Sequence, residues 1–241
     1  MGPSVDIDLT DKSYPVLDLA IFSRFRLRIA PSSIVALVGP SGVGKSTLLR
    51  MIAGIDNVYS GTITIDGTPA GGAAPPGFVF QDARLLPWLS ARANIIAVRP
   101  EAGADKAAML LQRVGLKGYE DAYPHQLSGG MQRRVALARA MSVNPRFWLF
   151  DEPFVSLDRQ LVGELQQLFL ELALAEAPTV VMVTHLAEDA ARLATRAVVL
   201  RGRPAQIVAD MALDEHPAAR SEAVVAAYGQ QIEALMREQA G

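Results

Sequence analysis

Residues 34–50 read IVALVGPSGVGKSTLLR, and this segment gives the clearest indication of the fold. The run from Ile34 to Val38 is short and nearly all apolar, and it ends at a glycine, which is typical of a strand buried on both faces of a parallel sheet. The residues from Lys45 to Ala53 predict a helix directly after the glycine-containing loop. A buried strand, a loop and a helix in this order indicate an α/β fold.

Similar elements recur along the chain. Short apolar runs at Phe147 to Phe150 and at Val180 to Val183 resemble the first run, and helix-like stretches separate them. This alternation predicts a mainly parallel sheet. Between Arg159 and Ala175, apolar residues recur at three- and four-residue spacing, which predicts an amphipathic helix packed on that sheet. The region from about Asp82 to Asn144 has helical stretches but no comparable strand, and we interpret it as a helical insertion.

The composition limits the function classes. Half of the 241 residues are apolar, which is enough for one large core. The formal net charge of −2 gives no excess of positive charge for holding a phosphate backbone, so we expect no nucleic-acid partner. Cysteine is absent, which excludes disulfides and thiolate metal sites.

Membrane-related signals are also absent from the sequence pattern. The first residues, MGPSVDIDLT, contain neither a basic leader nor an apolar run, so we expect no secretory signal. No later stretch reaches the ~18 consecutive apolar residues that a membrane-spanning helix needs. If this protein serves a membrane, another chain must cross it.

The loop between the first strand and helix satisfies the pattern G-x-x-x-x-G-K-[ST]. Its glycines allow successive N–H groups to point at phosphate oxygens, and the helix N-terminus adds partial positive charge. Lys45 would reach the β- and γ-phosphates of a nucleotide, and the Ser46 hydroxyl would ligate magnesium. The alternative is a glycine-rich turn without a ligand, against which the flanking strand and helix argue. The predicted nucleotide-binding residues are Gly39, Pro40, Ser41, Gly42, Val43, Gly44, Lys45, Ser46 and Thr47.

Two adjacent carboxylates, Asp151 and Glu152, follow the predicted strand in FWLFDEP, residues 147–153. Such strand ends open onto the ligand crevice of α/β sheets. Asp151 would hold magnesium through water, and Glu152 would polarise the attacking water. The alternative is a solvated turn before Pro153, which a phosphate loop in the same chain disfavours.

The string LSGGM, residues 127–131, lies between these two motifs. A serine and two glycines that open a helix offer a second anion site, with Ser128 as N-cap and bare backbone at Gly129 and Gly130. Alone, these residues could equally be a plain helix start. In this order, the three motifs resemble the ABC ATPase family.

This resemblance implies the following expectations. The fold is a P-loop NTPase (RecA-like) core with an N-terminal antiparallel β part and a helical subdomain insertion. The activity is ATP hydrolysis with Mg2+, as a head-to-tail dimer with a second copy of the chain or a related ATPase subunit. In that dimer Ser128, Gly129 and Gly130 close over the γ-phosphate that the other subunit holds.

Further residues resemble family elements by their position. Gln81, in FVFQD, resembles the loop glutamine that contacts magnesium and links the core to the helical insertion. His185, in VMVTH, resembles the switch histidine that contacts the γ-phosphate, although a lone histidine after a strand is more often structural. The loop that crosses the dimer interface corresponds to Ser156, Leu157 and Asp158.

Two positions are less regular. Met131 stands where many members of the family carry glutamine, and this change should leave the serine and glycine contacts intact. The aromatic residue that stacks on adenine in the family is not clearly aligned. Tyr14 is the first candidate for it and Phe22 the second.

The stretches DEPFVSLD and QDARLLPW further resemble importer subunits, particularly the nitrate, sulfonate, taurine and pyrimidine-precursor uptake group. The implied partners are a separate transmembrane permease and an extracytoplasmic solute-binding protein that contacts the permease. The implied location is the cytoplasmic face of the cell (inner) membrane. A soluble or regulatory ABC ATPase that is not coupled to transport, and an exporter subunit, are the alternatives.

Trp88 ends an apolar cluster, residues 85–88, that lies where family members grip the coupling helix of the permease. It is either an interface anchor or part of the core of the helical insertion, and the sequence leaves both open.

We predict a single ABC ATPase domain over residues 1–241. Its core would span residues 1–81 and 145–213, the helical subdomain residues 82–144, and a helical tail residues 214–241.

Overall fold

The computed structural model describes residues 1–14, 19–144, 146–155 and 157–237. Ser156 of the predicted interface loop lies outside the described residues. The chain divides into two compact units, Met1–Ala74 with Ala177–Gly241, and Pro75–Glu176. The predicted helical subdomain, residues 82–144, falls inside the second unit.

The described residues form strands and helices with the following bounds. The strands are β1 (Val5–Tyr14), β2 (Leu19–Ile29), β3 (Ile34–Val38), β4 (Ser60–Ile65), β5 (Thr68–Pro69), β6 (Gly77–Val79), β7 (Phe147–Asp151), β8 (Thr179–Thr184), β9 (Arg196–Arg201) and β10 (Gln206–Ala212). The helices are α1 (Lys45–Ile52), α2 (Ala91–Ile96), α3 (Gly103–Arg113), α4 (Gly129–Val143), α5 (Arg159–Glu176), α6 (Ala187–Leu193) and α7 (Glu222–Arg237). Short 3-10 turns lie at Ala70–Gly72, Pro100–Ala102, Pro124–Gln126 and Pro217–Ala219.

The N-terminal part of the first unit is an antiparallel sheet with the strand order β2-β1-β4-β5. Its strands alternate between buried and exposed residues, which is typical of an antiparallel sheet with one face toward a core. On the outer face, Asp6 and Asp8 of β1 stand opposite Arg28 and Arg26 of β2 and pair with them. The predicted N-terminal antiparallel part is therefore confirmed.

The first unit also contains parallel strands. β3 pairs in parallel with β8 on one side and with β9 on the other, and β10 then pairs antiparallel with β9. β3 and β8 are buried along their whole length, as continuous apolar runs in a parallel sheet require.

The C-terminal helix α7 packs against α6 in the first unit. Its apolar face buries Val225 and Ile232. Arg220, just before the helix, donates from Nη1 to the carbonyl of Ala191 in the last turn of α6 (2.5 Å). A cation at that end of a helix satisfies unpaired carbonyls and complements the helix dipole.

In the second unit, β6 pairs in parallel with β7, and the remaining elements are the helices α2 to α5. A cluster of aromatic rings joins β7 to α5, because Phe169 meets the rings of Trp148 and Phe150 edge-on at 6.3 and 5.3 Å between centroids. The described residues from 82 to 144 contain helices and no strand. The fold is thus α/β, with parallel strands, an antiparallel N-terminal part and a helical insertion.

Local contacts set the bounds of two helices. α3 ends at Arg113, because Gly115 adopts a φ of +76° and the N–H of Leu116 donates to the carbonyl of Leu111 (2.8 Å). This pattern closes a helix at a glycine. α4 begins at Gly129, because Ser128 caps it as the sequence predicts.

Within the described part of the chain, none of the helices combines the length and the hydropathy that crossing a bilayer requires.

A buried ion pair fixes the end of β1. The pairing of β1 with β4 shifts register between Leu9 and Asp11, and beyond the shift Lys12 points inward with 1 % of its surface exposed. Its Nζ donates to both carboxylate oxygens of Asp56 (2.8 and 2.7 Å) and to the carbonyl of Val58 (2.8 Å). Burial by itself raises the pKa of Asp56, but the hydrogen bonds from Lys12 and the Val58 N–H, together with the lysine charge, bring it below its usual range.

We predict that Lys12→Met lowers the free energy of unfolding by about 3 kcal/mol, because it leaves the Asp56 carboxylate without the cation that faces it. Arg26→Ala, which breaks a solvent-exposed pair in the same sheet, should cost less than about 1 kcal/mol. Urea unfolding of both variants measures the difference. Equal effects of the two changes would contradict this assignment.

Candidate functional site

The phosphate loop, residues 39–44, connects β3 to α1 within the first unit. Gly44 is the N-cap of α1 with a φ of +113°, a region that favours glycine, and a Cβ there would lie 2.6 Å from Cγ2 of Ile21. A Cβ on Gly39 would lie 2.3 Å from the carbonyl oxygen of Leu200. The curl of the loop therefore depends on glycine at both ends.

Lys45 is the first residue of α1, and 4 % of its surface is exposed. Its Nζ donates to the carbonyls of Gly39 (2.7 Å) and Pro40 (3.0 Å). The ammonium group therefore lies at the loop, near the end of α1 where unpaired N–H groups concentrate partial positive charge. Ser41 and Gly42 on the outside of the loop are exposed. This arrangement is suited to a phosphate group.

His185 lies at the same sheet edge as the phosphate loop. β3 and β8 pair in parallel with Val38 opposite Thr184, so the residues that follow them, Gly39 and His185, leave the sheet side by side. The turn after β8 is fixed by Thr184, whose hydroxyl oxygen accepts from the N–H of Leu186 (3.0 Å) and whose O–H donates to Asp189 (3.3 Å). The structure thus brings His185 and the phosphate loop together.

The second unit repeats this geometry. β6 and β7 pair in parallel with Val79 opposite Phe150, so that Gln81 and the pair Asp151 and Glu152 leave the sheet at one edge. Gln81 is exposed, and the two carboxylates are half-buried. The structure therefore brings Gln81 together with the two acidic residues.

Glu152 adopts a left-handed backbone conformation, with a φ of +48°. A residue with a side chain seldom takes this conformation, and such strain recurs at functional sites. It redirects the chain directly after β7, where the carbonyl of Glu152 accepts from the N–H of Val155 (3.4 Å).

The helix start at Ser128 has the geometry that the sequence predicts. Ser128 is the N-cap of α4, and its Oγ accepts from the N–H of Met131 (3.2 Å). Gly129 is exposed, and no atom lies within 4 Å of the place where its Cβ would be. Gly130 is buried instead, where a Cβ would lie 2.4 Å from Cδ1 of Leu161. Gly129 therefore leaves the helix start accessible from outside, while Gly130 packs the helix start on α5.

Asp158 lies at the start of α5, beside that packing contact. Its Oδ1 accepts from the N–H of Leu161 (3.0 Å), and its side chain is exposed. Because Leu161 also touches Gly130, the start of α5 and the start of α4 are adjacent.

The two candidates for the adenine contact differ in exposure. Phe22 has 0 % exposure and packs against Phe25, with 4.8 Å between ring centroids, so it is a core residue and is excluded. Tyr14 is half-buried, its hydroxyl donates to Asp56 (3.2 Å), and the Nζ of Lys12 lies 4.6 Å from its ring centroid. Tyr14 stays the candidate, with Lys12 close to its ring.

Trp88 is 68 % exposed. The alternative that it belongs to the core of the helical insertion is therefore wrong. The exposed ring leaves the interface anchor as the remaining alternative.

The predicted magnesium ligands are Ser46, Gln81 and Asp151. They offer a hydroxyl, an amide oxygen and a carboxylate, and hard oxygen donors of these kinds suit Mg2+. The chemistry of this donor set therefore fits the ion.

Two arginines of α4 were missed by the sequence reasoning. Arg133 donates to the carbonyls of Pro153 (2.9 Å) and Val155 (3.4 Å), directly after Glu152. Arg139 donates to the carbonyls of Ala83 and Arg84 (both 2.8 Å), directly after Gln81. The sequence around them, residues 132–140, gives no signal that they hold these two loops. The reason is that the acceptors are backbone carbonyls far away in the chain.

Comparisons with known proteins agree with this geometry. The ABC transporter family matches residues 22–155. An uncharacterised ABC transporter ATP-binding protein of Methanocaldococcus jannaschii is 38% identical over 224 residues, which cover 90% of this chain and 84% of that protein. The aliphatic sulfonates import ATP-binding protein SsuB 1 of Xanthomonas axonopodis pv. citri is 44% identical over 190 residues, or 75% of each chain.

Among solved structures, the ATP-binding cassette MJ0796, in a dimeric post-hydrolysis state bound to ADP and Pi, superposes with a TM-score of 0.75. It is 29% identical in sequence, and the match covers 88% of this chain and 100% of that one. The same fold, the ordered motifs and the family match over more than half of the residues lead to one conclusion. This chain belongs to the ABC transporter family, as one of the family's ATP-binding ATPase subunits.

Proposed function

We propose that this chain is the ATPase subunit of an importer, in which ATP binding and hydrolysis drive solute uptake through a separate transmembrane permease. The observation that carries the proposal is the phosphate loop itself, with the buried Lys45 ammonium at the start of α1 and His185 at the same sheet edge. The relatives named as import ATP-binding proteins support the direction of transport.

Lys45 and the backbone N–H groups of the phosphate loop bind the triphosphate. A γ-phosphate would accept charge-assisted hydrogen bonds from the Lys45 ammonium, which are stronger than the hydrogen bonds that it donates to the loop carbonyls. His185 contacts the γ-phosphate from the end of β8. Tyr14 is the proposed adenine contact.

Ser46, Gln81 and Asp151 would hold magnesium, Asp151 through water. A bound magnesium ion would neutralise part of the charge on the triphosphate and so favour attack of water on the γ-phosphate. Gln81 and Asp151 lie at the neighbouring ends of the paired strands β6 and β7.

Glu152 is the proposed general base. It polarises the water that attacks the γ-phosphate and accepts its proton as the new bond to phosphorus forms, while the bond from the γ-phosphorus to the bridging oxygen breaks and ADP leaves. The strained left-handed backbone at Glu152 supports this role, and Arg133 holds the residue that follows by donating to the carbonyl of Pro153.

The working unit is a head-to-tail dimer with a second copy of this chain or a related ATPase subunit. Ser128, Gly129 and Gly130 of one subunit close over the γ-phosphate bound by the other, and Asp158 lies at the interface between them. The open space at Gly129 beside the start of α4 supports this role, as does the dimeric state of the solved cassette MJ0796. ATP favours the closed dimer because only that state provides both sets of phosphate contacts.

The permease would bind at the exposed Trp88, and the dimer would lie on the cytoplasmic face of the cell membrane. A solute-binding protein on the opposite side of the membrane would deliver the solute to the permease. The names of the relatives point to an aliphatic sulfonate or a similar small anion as the solute.

We expect Glu152→Gln to keep ATP binding and to lower the ATPase rate by at least about 100-fold, because the amide cannot take the proton. The variant should also accumulate as a dimer with ATP, because without hydrolysis the γ-phosphate stays in place and the closed dimer does not reopen. Phosphate release and size-exclusion chromatography with ATP measure the two effects.

Glu171→Gln, the same chemical change at an exposed position of α5, is the matched control and should hydrolyse ATP normally. Substantial hydrolysis by Glu152→Gln would show that another group is the base.

Trp88→Ala should weaken association with the permease about 10-fold or more while sparing ATP binding, because buried aromatic anchors dominate interface energies. Met109→Ala removes a similarly exposed apolar side chain (61 % exposed) from α3 and is the matched control. Co-purification with the permease that the unaltered chain retains is the measurement. Recovery of the permease by Trp88→Ala at the level of the control would remove the assignment.

A further inference from the structure

Arg139 of α4 holds two consecutive peptide groups. Its Nη1 donates to the carbonyl of Arg84 and its Nη2 to the carbonyl of Ala83, both at 2.8 Å. The two donors belong to one planar guanidinium, so the bonds fix the orientation as well as the position of this segment. The side chain is half-buried, and burial lowers the pKa of the Arg139 guanidinium. A partly desolvated cation held by neutral carbonyls is costly, which points to a positional role.

The segment that Arg139 holds is the loop of Gln81. Ala83 and Arg84 follow Gln81 in the chain, and Arg84 has a left-handed φ of +45°. The guanidinium carbon of Arg84 folds back to 4.1 Å from the ring centroid of Phe80, which precedes Gln81. Phe80 in turn stacks on Phe78 of β6 with 4.2 Å between centroids. Gln81 therefore lies in the chain between Phe80 and Arg84, whose side chains contact each other.

The other end of the same segment also rests on α4. At the start of β6, a Cβ on Gly77 would lie 2.4 Å from the carbonyl oxygen of Ala140, so the backbones of strand and helix are in close contact. Ala140 is the residue next to Arg139. One turn of α4 thus holds the strand that leads into Gln81 and the loop that follows it.

We propose that Arg139 is a positioning residue for Gln81, which fixes the Gln81 loop to the helix that starts at Ser128. The inference rests on the proposed function, in which Gln81 contacts magnesium and the start of α4 contacts the nucleotide of the partner subunit. Because Arg139 and Ser128 belong to one rigid helix, a shift of α4 on dimer closure moves the Gln81 loop with it. Closure and magnesium coordination are coupled in this way.

The test compares Arg139→Met with Arg134→Met on the same helix. Arg134 donates to the carbonyl of Val114 (3.3 Å) and pairs with Glu164 (2.9 Å), so its loss removes comparable contacts that do not reach the Gln81 loop. Arg139→Met should speed hydrogen exchange of the peptide that covers residues 81–86, lower kcat at least about 10-fold and raise the magnesium concentration for half-maximal ATPase. Affinity for a fluorescent ATP analogue without magnesium should be unchanged.

Arg134→Met should lower Tm without these effects. Arg139→Lys should restore only part of kcat, because an ammonium group does not reproduce the fork of two donors. Exchange at residues 81–86 that is the same in Arg139→Met and Arg134→Met would overturn the inference.

A double-mutant cycle separates this inference from the function on which it rests. If Arg139 acts through Gln81, adding Arg139→Met to Gln81→Ala should change kcat less than about 2-fold. Fully additive effects, with Gln81→Ala impaired, would overturn the role of Arg139 alone. Unchanged turnover and magnesium dependence in Gln81→Ala would instead contradict the proposed role of Gln81, and the exchange measurement would then still decide whether Arg139 holds the loop.

Discussion

Parallel pairing of buried strands determines where the proposed site residues that follow these strands lie. Two parallel neighbours deliver the residues that follow them to one edge of the sheet, whatever the length of chain between them. In the first unit this constraint sets the loop of Lys45 beside His185, although about 140 residues separate them. In the second unit it sets Gln81 beside Asp151 and Glu152. The pairing of the strands thus brings both groups of residues together, without direct contacts between their side chains being required.

The helix α4 organises the second group. Its N-terminus carries Ser128 and the open backbone of Gly129, and Gly130 seats that end on Leu161 of α5. Further along, Arg133 and Arg139 bind the carbonyls that follow Glu152 and Gln81. The N-terminus of α4 therefore forms part of the proposed binding surface for a partner's nucleotide. The same helix also contacts the loop of Gln81, a proposed magnesium ligand, and the loop of Glu152, the proposed base. In the proposed dimer, α4 would connect closure to the positions of both loops.

Local patterns made part of this structure predictable. The apolar runs of β3, β7 and β8, the glycine loop and the cap at Ser128 depend on neighbouring residues, and the sequence predicts them correctly. The pair of Lys12 with Asp56 and the contacts of Arg139 join residues that are 44 and 55 or 56 positions apart. Carbonyl acceptors have no residue-type signature, and whether Trp88 is buried depends on packing that periodicity does not specify. Such contacts follow only from the topology.

We propose that each triphosphate lies between the phosphate loop of one copy and the helix start of its mate. Mixing two inactive variants is the decisive experiment for this arrangement. Lys45→Ala removes the ammonium group from one copy, and Ser128→Arg obstructs the helix start of the other. A mixed dimer then keeps one site with an intact loop and an intact helix start. Mixing should restore ATPase activity well above the sum of the separate variants. A mixture no more active than that sum, with dimers shown to form, would contradict it.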